Sequence, residues 1–294
     1  MKNHDLKIAR NVDEYLEIIK STKILGRIWF RGMSKANRQL TPTLFREKRQ
    51  IGLEFSGGSA KNGEYYRKSQ AVMKSDFGVL KKFKQEYDKL YPEKSKSFNL
   101  IDYLFVMQHY DIPTRLLDFS EDELIALYFS VSKDIISKEN PSIQESEFLS
   151  NRFGNTDKGS SIHCIDPVFS NNKSYGVNKV SNFDNINDID TLYGLDFPVC
   201  IRTDNNDKRI IAQKGVFMLY GREYPNYDSR DIFIPNITKI FIPNHYRKGI
   251  KEELKQKYNI QHTTVYPDLK GIANEIIEDI ELKYKNDCEE IFGI

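Results

Sequence analysis

The sequence predicts an α+β fold, with helices mainly in the first half and an antiparallel or mixed sheet built largely from the second half. Three observations carry this. Apolar positions at helical spacing crowd between residues 12 and 133. Short runs rich in Val, Ile, Phe and Tyr crowd after residue 160. Strand and helix signals do not alternate as βαβ units would require. No internal repeat and no break in composition divides the 294 residues, so 1–294 reads as a single domain at the large end of the usual range.

Taken in order, Asn11 or Asp13 can cap a short helix with Val12, Tyr15, Ile18 and Ile19 on one face. Ile24 to Arg31 reads as a strand, Leu40 to Arg46 as a loop entering a turn, and Ile51 to Gly63 as a glycine-rich flexible insertion. Ala71 to Leu90 is helical with a basic face of Lys81, Lys82, Lys84 and Lys89, and Pro92 ends it. Phe98 to Tyr110 and Asp122 to Lys133 are further helices. Ser137 to Gly159 is polar and reads as loop, and Asn171 to Asp190 as an exposed excursion. Strands are expected at Ser161 to Ile165, Phe197 to Arg202, Arg209 to Tyr220, in pieces over Asp231 to Ile242, and at His262 to Tyr266. Helices are expected at Lys248 to Tyr258 and Gly271 to Lys285.

Composition narrows the function classes. An apolar fraction of 39% with 17 Tyr and 18 Phe supplies a core and argues against a disordered chain. The balance of 44 basic and 42 acidic residues gives no global case for nucleic acid and leaves room for a local basic patch. Cys164, Cys200 and Cys288 lie far apart without paired spacing, which argues against a disulfide framework or a zinc site and fits a reducing bacterial cytoplasm. No metal site is expected. No run approaches a membrane span and no apolar leader opens the chain, so no membrane partner is expected. Neither GxGxxG, GxxxxGKS nor GxSxG occurs.

The chemistry-bearing residues concentrate in two pieces. In Ile28-Trp29-Phe30-Arg31-Gly32 an Arg sits between an apolar run and a Gly. Arg31 can present its planar donor fork to a phosphate or carboxylate, or serve as a structural ion pair. Gly32 lets the backbone approach a ligand or turn sharply. The second piece, Gln108 to Ser120, gathers His109, Tyr110, Thr114, Arg115, Asp118 and Ser120 between two apolar runs. His109 ends a helix and could act as general acid or base, or simply hydrogen-bond. Arg115 and Asp118 are spaced to pair with each other, bracing the loop or meeting a ligand. Ser120 precedes Glu121-Asp122-Glu123 and favours a helix N-cap, with a pocket hydroxyl as the functional alternative. Gln213 falls inside an apolar run read as strand, so it needs a partner if buried and could face the same pocket as Arg31.

These pieces resemble the FRG domain, which takes its name from a signature like Phe30-Arg31-Gly32. The similarity continues through Leu40 to Arg46, Gln108 to Ser120, Ala126 to Ser130, Arg209 to Phe217 and Tyr266 to Gly271, spanning about residues 10–280. Asp111 stands where Gly is expected, and Phe119 where Trp is common. A more distant similarity links the chain to ADP-ribosyltransferases of the Arg-Ser-Glu type. In those enzymes an Arg on a first strand holds NAD, a Ser follows a second strand, and a Glu before an apolar run polarises the ribose. Arg31-Gly32, Phe119-Ser120 and Gln213-Lys214-Gly215-Val216-Phe217 are similar to the three elements. Gly215, however, stands where the Glu would be. Asp118, Glu121 or Glu223 could replace that carboxylate, or His109 could take over orientation.

The resemblance implies an ADP-ribosyltransferase-like sheet and NAD as substrate. It implies a macromolecular acceptor, nucleic acid or protein, and the role of a bacterial toxin or antiviral defence component, with an antitoxin or operon partner conceivable. His109, Asp118, Ser120 and Gln213 would be the catalytic set, with Arg31, Gly32, Tyr110, Thr114 and Arg115 holding the dinucleotide. Three rivals stand beside it: a module that senses a nucleotide or nucleic acid without chemistry, a nuclease or hydrolase using His109 and nearby carboxylates, and an interaction scaffold in which the polar segment is only structural.

Overall fold

In the computed structural model the described residues are 5–22, 27–46, 62–133, 139–182, 189–203, 207–221 and 232–292. Among them eight strands form one mixed sheet: β1 (Asp5–Ile8), β2 (Trp29–Met33), β3 (Leu116–Ser120), β4 (Gly159–Ile165), β5 (Ser181–Asn182), β6 (Val199–Arg202), β7 (Gly215–Leu219) and β8 (Ile237–Pro243). The α-helices are α1 (Val12–Ser21), α2 (Asn62–Leu90), α3 (Pro92–Ser95), α4 (Leu100–His109), α5 (Glu123–Val131), α6 (Pro141–Ser150), α7 (Pro167–Tyr175), α8 (Ile189–Gly194), α9 (Lys208–Ala212), α10 (Arg247–Tyr258), α11 (His262–Val265) and α12 (Leu269–Phe292). The fold is α+β, as the segregation of signals predicts. The expected insertion falls mostly outside the described residues.

Local chemistry explains both the agreements and the departures. Asn11 accepts a hydrogen bond from the Glu14 amide and opens α1. At α4 Asn99 and Asp102 form a reciprocal capping box. The helix after β3 is capped by Asp122, whose carboxylate accepts from the amides of Leu124 and Ile125 at 2.9 and 3.1 Å, and not by Ser120. Part of the polar run 137–159, read as loop, is α6, because Asn140 caps it and Pro141 starts it. The excursion expected from residue 171 begins inside α7, and Asn171 there is buried and bonds both backbone groups of Cys200.

Two strand expectations need correction. Arg209 to Tyr220 is not one strand: Asp207 caps α9, Lys214 turns the chain in the left-handed region at φ 45°, and only Gly215–Leu219 is extended. Gln213 therefore sits at the end of a short helix. His262 to Tyr266 is helical, because Gln261 and Thr264 cap each other reciprocally and override the β-preference of Thr263, Thr264 and Val265. Conversely three strands were not expected: β3 lies in the run 108–120 read as a polar segment, β5 in the excursion 171–190, and β1, four residues long and half exposed, pairs in parallel with β8 and forms the edge of the sheet.

The sheet order is β1-β8-β4-β2-β3-β7-β6-β5. β2 pairs with β4 over five residues and β3 pairs with β7 over five, yet β2 meets β3 at the single pair Phe30–Ser120. The sheet is thus two four-strand halves joined at a narrow seam. On one face a continuous core of Trp29, Met33, Leu117, Phe119, Val216 and Met218 spans the seam. On the other face there are two cores. Phe30, Ile162, Cys164 and Ile240 pack against α1, α5 and α10, while Leu116, Ile201, Phe217 and Leu219 pack against α2 and α4.

Candidate functional site

A cleft of about 1160 Å³ opens between those two cores, with Phe30 and Phe129 from one side and Phe105 and Phe217 from the other. That volume lies above the usual range of roughly 300–1,000 Å³ for a small-molecule site. The seam supplies its floor: β2 and β3 share one pair, and the cleft is lined there by Phe30, Arg31, Asp118 and Ser120, of which Asp118 is the exposed one.

Arg31 and Asp118 meet on that floor. The Arg31 guanidinium donates to the backbone oxygen of Asp118 and lies 3.8 Å from its carboxylate. This is the one hydrogen bond of Arg31 among the described residues, and its Nε has no partner. Burial pulls its pKa down from the ordinary value, but Arg starts so high that it stays charged. Enclosure by protein pushes the Asp118 carboxyl above its ordinary pKa, with Arg31 and a hydrogen bond from Gln108 opposing, although half of the side chain remains open to the cleft. Gln108 is oriented in turn by Thr114, whose hydroxyl donates to Gln108 Oε1 at 2.8 Å. Thr114, Gln108, Asp118 and Arg31 therefore form one polar chain running from the protein interior to the cleft.

The structure separates the remaining candidates. His109 and Tyr110 line the rim, both exposed, with rings 5.2 Å apart. Thr114 is fully buried and does not line the cleft; it reaches the lining through Gln108 and through backbone hydrogen bonds with the Thr43 hydroxyl. Arg115 points away altogether. It is buried against Asp76 at 3.8 Å, donates to the Leu192 oxygen at 2.9 Å and stacks on the Tyr193 ring at 4.3 Å. The expected Arg115–Asp118 pair does not form because successive residues of an extended chain project to opposite sides, so two residues three apart face away from each other. Gly32 is explained by helix packing: a Cβ there would lie 1.9 Å from the Ala126 oxygen in α5. Ser120 and Gln213 line the cleft, but both are engaged with protein. The Ser120 hydroxyl donates to the Gln213 oxygen at 2.7 Å and accepts from the Asp122 amide at 2.9 Å, while Gln213 Nε2 donates to the Val265 oxygen.

Of the three acids that could replace the absent Glu, Asp118 is the one in the cleft. Glu121 is held by Arg202 and Arg27, and Glu223 lies outside the described residues. At Gly215 a Cβ would meet Ile210 at an ordinary 3.4 Å, so packing does not impose glycine there.

Other lining residues were not singled out from the sequence. His262 stacks on Tyr266 at 4.8 Å and contacts the Tyr128 hydroxyl at 3.3 Å. Arg209 pairs with Asp268 and lies over the Tyr266 ring. That pairing holds the Asp268 carboxyl down at about 2, helped by the Gly271 amide at 2.8 Å. The conspicuous turn Tyr266 to Gly271 was the available signal; its role was hidden because it meets α9 only in three dimensions. The cleft as a whole is basic, lined by seven Lys and Arg against three Asp in a chain that is otherwise close to balanced.

Among the described residues no group of three or more His, Cys, Asp or Glu could hold a metal ion, and no helix is long and apolar enough to cross a membrane. No curated protein and no solved structure matches the chain. The FRG domain family model matches residues 26–139, a span that contains β2, α4, β3 and α5 and with them Arg31, Gln108 and Asp118, and the chain therefore carries an FRG domain.

Proposed function

We propose that the cleft binds NAD and transfers its ADP-ribosyl group to a macromolecule. The observation that carries this reading is the Arg31–Asp118 couple at the seam, a cation with spare donors beside a carboxylate in a basic, aromatic cleft. Arg31 would hold the pyrophosphate or a ribose hydroxyl through its unused donors. Cleavage of the bond between ribose C1′ and the nicotinamide nitrogen sends the bonding electron pair to nicotinamide, which leaves neutral. Positive charge develops on the ribose, as in glycoside cleavage. An ionised Asp118 near that ring would stabilise the charge and hold the ribose hydroxyls. The acceptor then bonds to C1′ and gives up its proton, for which Asp118 or His109 is the nearby base.

The test is nicotinamide release from NAD by the purified protein, with and without cell extract, beside Arg31→Ala and Asp118→Asn. Release that needs both residues, and that rises with pH through a carboxyl titrating above the ordinary Asp range, is expected. Release that persists in both variants would sink the assignment.

The engagement of Ser120 and Gln213 with protein favours a second reading, a cleft that senses a nucleotide without turning it over. Thermal stabilisation by NAD with no nicotinamide released, in extract or out of it, would select that reading.

A further inference from the structure

We infer that the mouth of the cleft is a docking surface for single-stranded nucleic acid. Two independent features point to it. The first is charge. Arg38, Lys94, Lys133 and Lys208 line the cleft, are exposed, and make no ion pair among the described residues. The whole chain carries 44 basic and 42 acidic residues, whereas the cleft lining carries seven Lys and Arg against three Asp, so the local feature is this excess of positive charge around one opening. Several cations on one cleft suit a run of phosphates better than a single one.

The second feature is aromatic. Tyr91 and Tyr110 line the same cleft with 49% and 64% of their surface exposed, and each lies beside one other ring, Tyr87 at 4.9 Å and His109 at 5.2 Å. Lys94 lies 5.9 Å from the Phe98 ring, so cation and ring surface are interleaved. Exposed rings beside lysines provide stacking faces for unpaired bases, while a duplex would present only its backbone. The cleft volume leaves room for a strand end beside a smaller ligand on the Arg31 floor. The inference rests on the reading above only for the strand's purpose, as the acceptor; binding itself needs no NAD.

The experiment uses the full chain and fluorescein-labelled 12-nucleotide single strands in ribose and deoxyribose forms, with a duplex of the same length, read by anisotropy without NAD. A single strand of either sugar is expected to bind at least tenfold tighter than the duplex. Tyr91→Ala and Tyr110→Ala should each weaken it roughly tenfold without changing the melting temperature, because both side chains are exposed. The slope of log affinity against log salt should be about −3 if the four cations each meet a phosphate, and Lys94→Ala should reduce its magnitude by about 0.7. Equal binding of duplex and single strand, or affinity unchanged in both Tyr variants, overturns the inference. Nicotinamide release, measured separately, keeps the two ideas apart: strand binding without release removes the transferase reading alone, and release without strand binding removes this inference alone.

Discussion

Gly32 decides between two accounts of the Arg31-Gly32 pair, and Gly32→Ala tests them. If the glycine lets a ligand approach the backbone, the variant keeps its stability and loses binding. The geometry requires the reverse. The added methyl would lie 1.9 Å from the Ala126 oxygen and 2.8 Å from the Ser130 nitrogen, where ordinary contact begins near 3.4 Å. α5 must therefore retreat by about 1.5 Å from β2, since a helix backbone cannot swing aside as a side chain does. That helix carries Ile125, Ala126, Leu127, Tyr128 and Val131 into the core, so all lose contact at once. Overpacking typically costs about 1–3 kcal/mol, and this case belongs at the upper end because backbone opposes it. For a chain of this size about 3 kcal/mol lowers the melting temperature by roughly 6–10 °C. Thermal unfolding by circular dichroism measures it. A melting temperature within a degree or two of the parent would refute the helix-seat reasoning, whatever happened to ligand binding.

Other perturbations separate site from scaffold. Asp76→Ala strands the fully buried Arg115 without its carboxylate and should cost about 3–5 kcal/mol in denaturant unfolding, with nicotinamide release per folded molecule unchanged. Asp268 is ionised more readily folded, at about 2, than unfolded, near 3.9, so it adds stability above the unfolded value and loses it as pH falls from about 4 to about 2. Allowing for partial exposure, Asp268→Asn should lower stability at neutral pH by about 1–2 kcal/mol and flatten its decline across that window. Asp111 sits at φ 60°, so Asp111→Val should destabilise by about 1–2 kcal/mol while Asp111→Gly is tolerated, both read by thermal melts.

Much of the fold was legible because it is written locally. Helical periodicity marked α1, α4 and α5, and β2, β4, β6 and β8 read as apolar runs, but β3 in the middle of the sheet was missed because Asp118 and Ser120 made Gln108 to Ser120 read as a polar segment. The errors came where a cap outweighed propensity, as at α11, or where one left-handed residue broke an apolar run, as at Lys214. At the site, Arg31, Asp118 and His109 were recognisable because their residue types are unusual between apolar runs. Arg115 was misplaced because spacing cannot say which side of a strand end a residue takes, and its partner Asp76 lies 39 positions away on α2. Asp111 shows the opposite case. Standing where the resemblance leads one to expect Gly, it occupies the backbone region that Gly favours and Asp tolerates.

The seam has a consequence for how the molecule can be cut. Arg31 and Asp118 both belong to the matched span 26–139, yet β2 is held on its other side by β4 (Gly159–Ile165) and β3 by β7 (Gly215–Leu219), both beyond it. An excised 26–139 fragment would keep Arg31 and Asp118 and expose two unpaired strand edges joined to each other at one residue pair. The stretch that carries the family's name is thus embedded in a larger sheet, and its Arg31 and Asp118 stand on strands whose outer neighbours, His163 and Phe217 at their level, come 132 and 99 positions later in the chain.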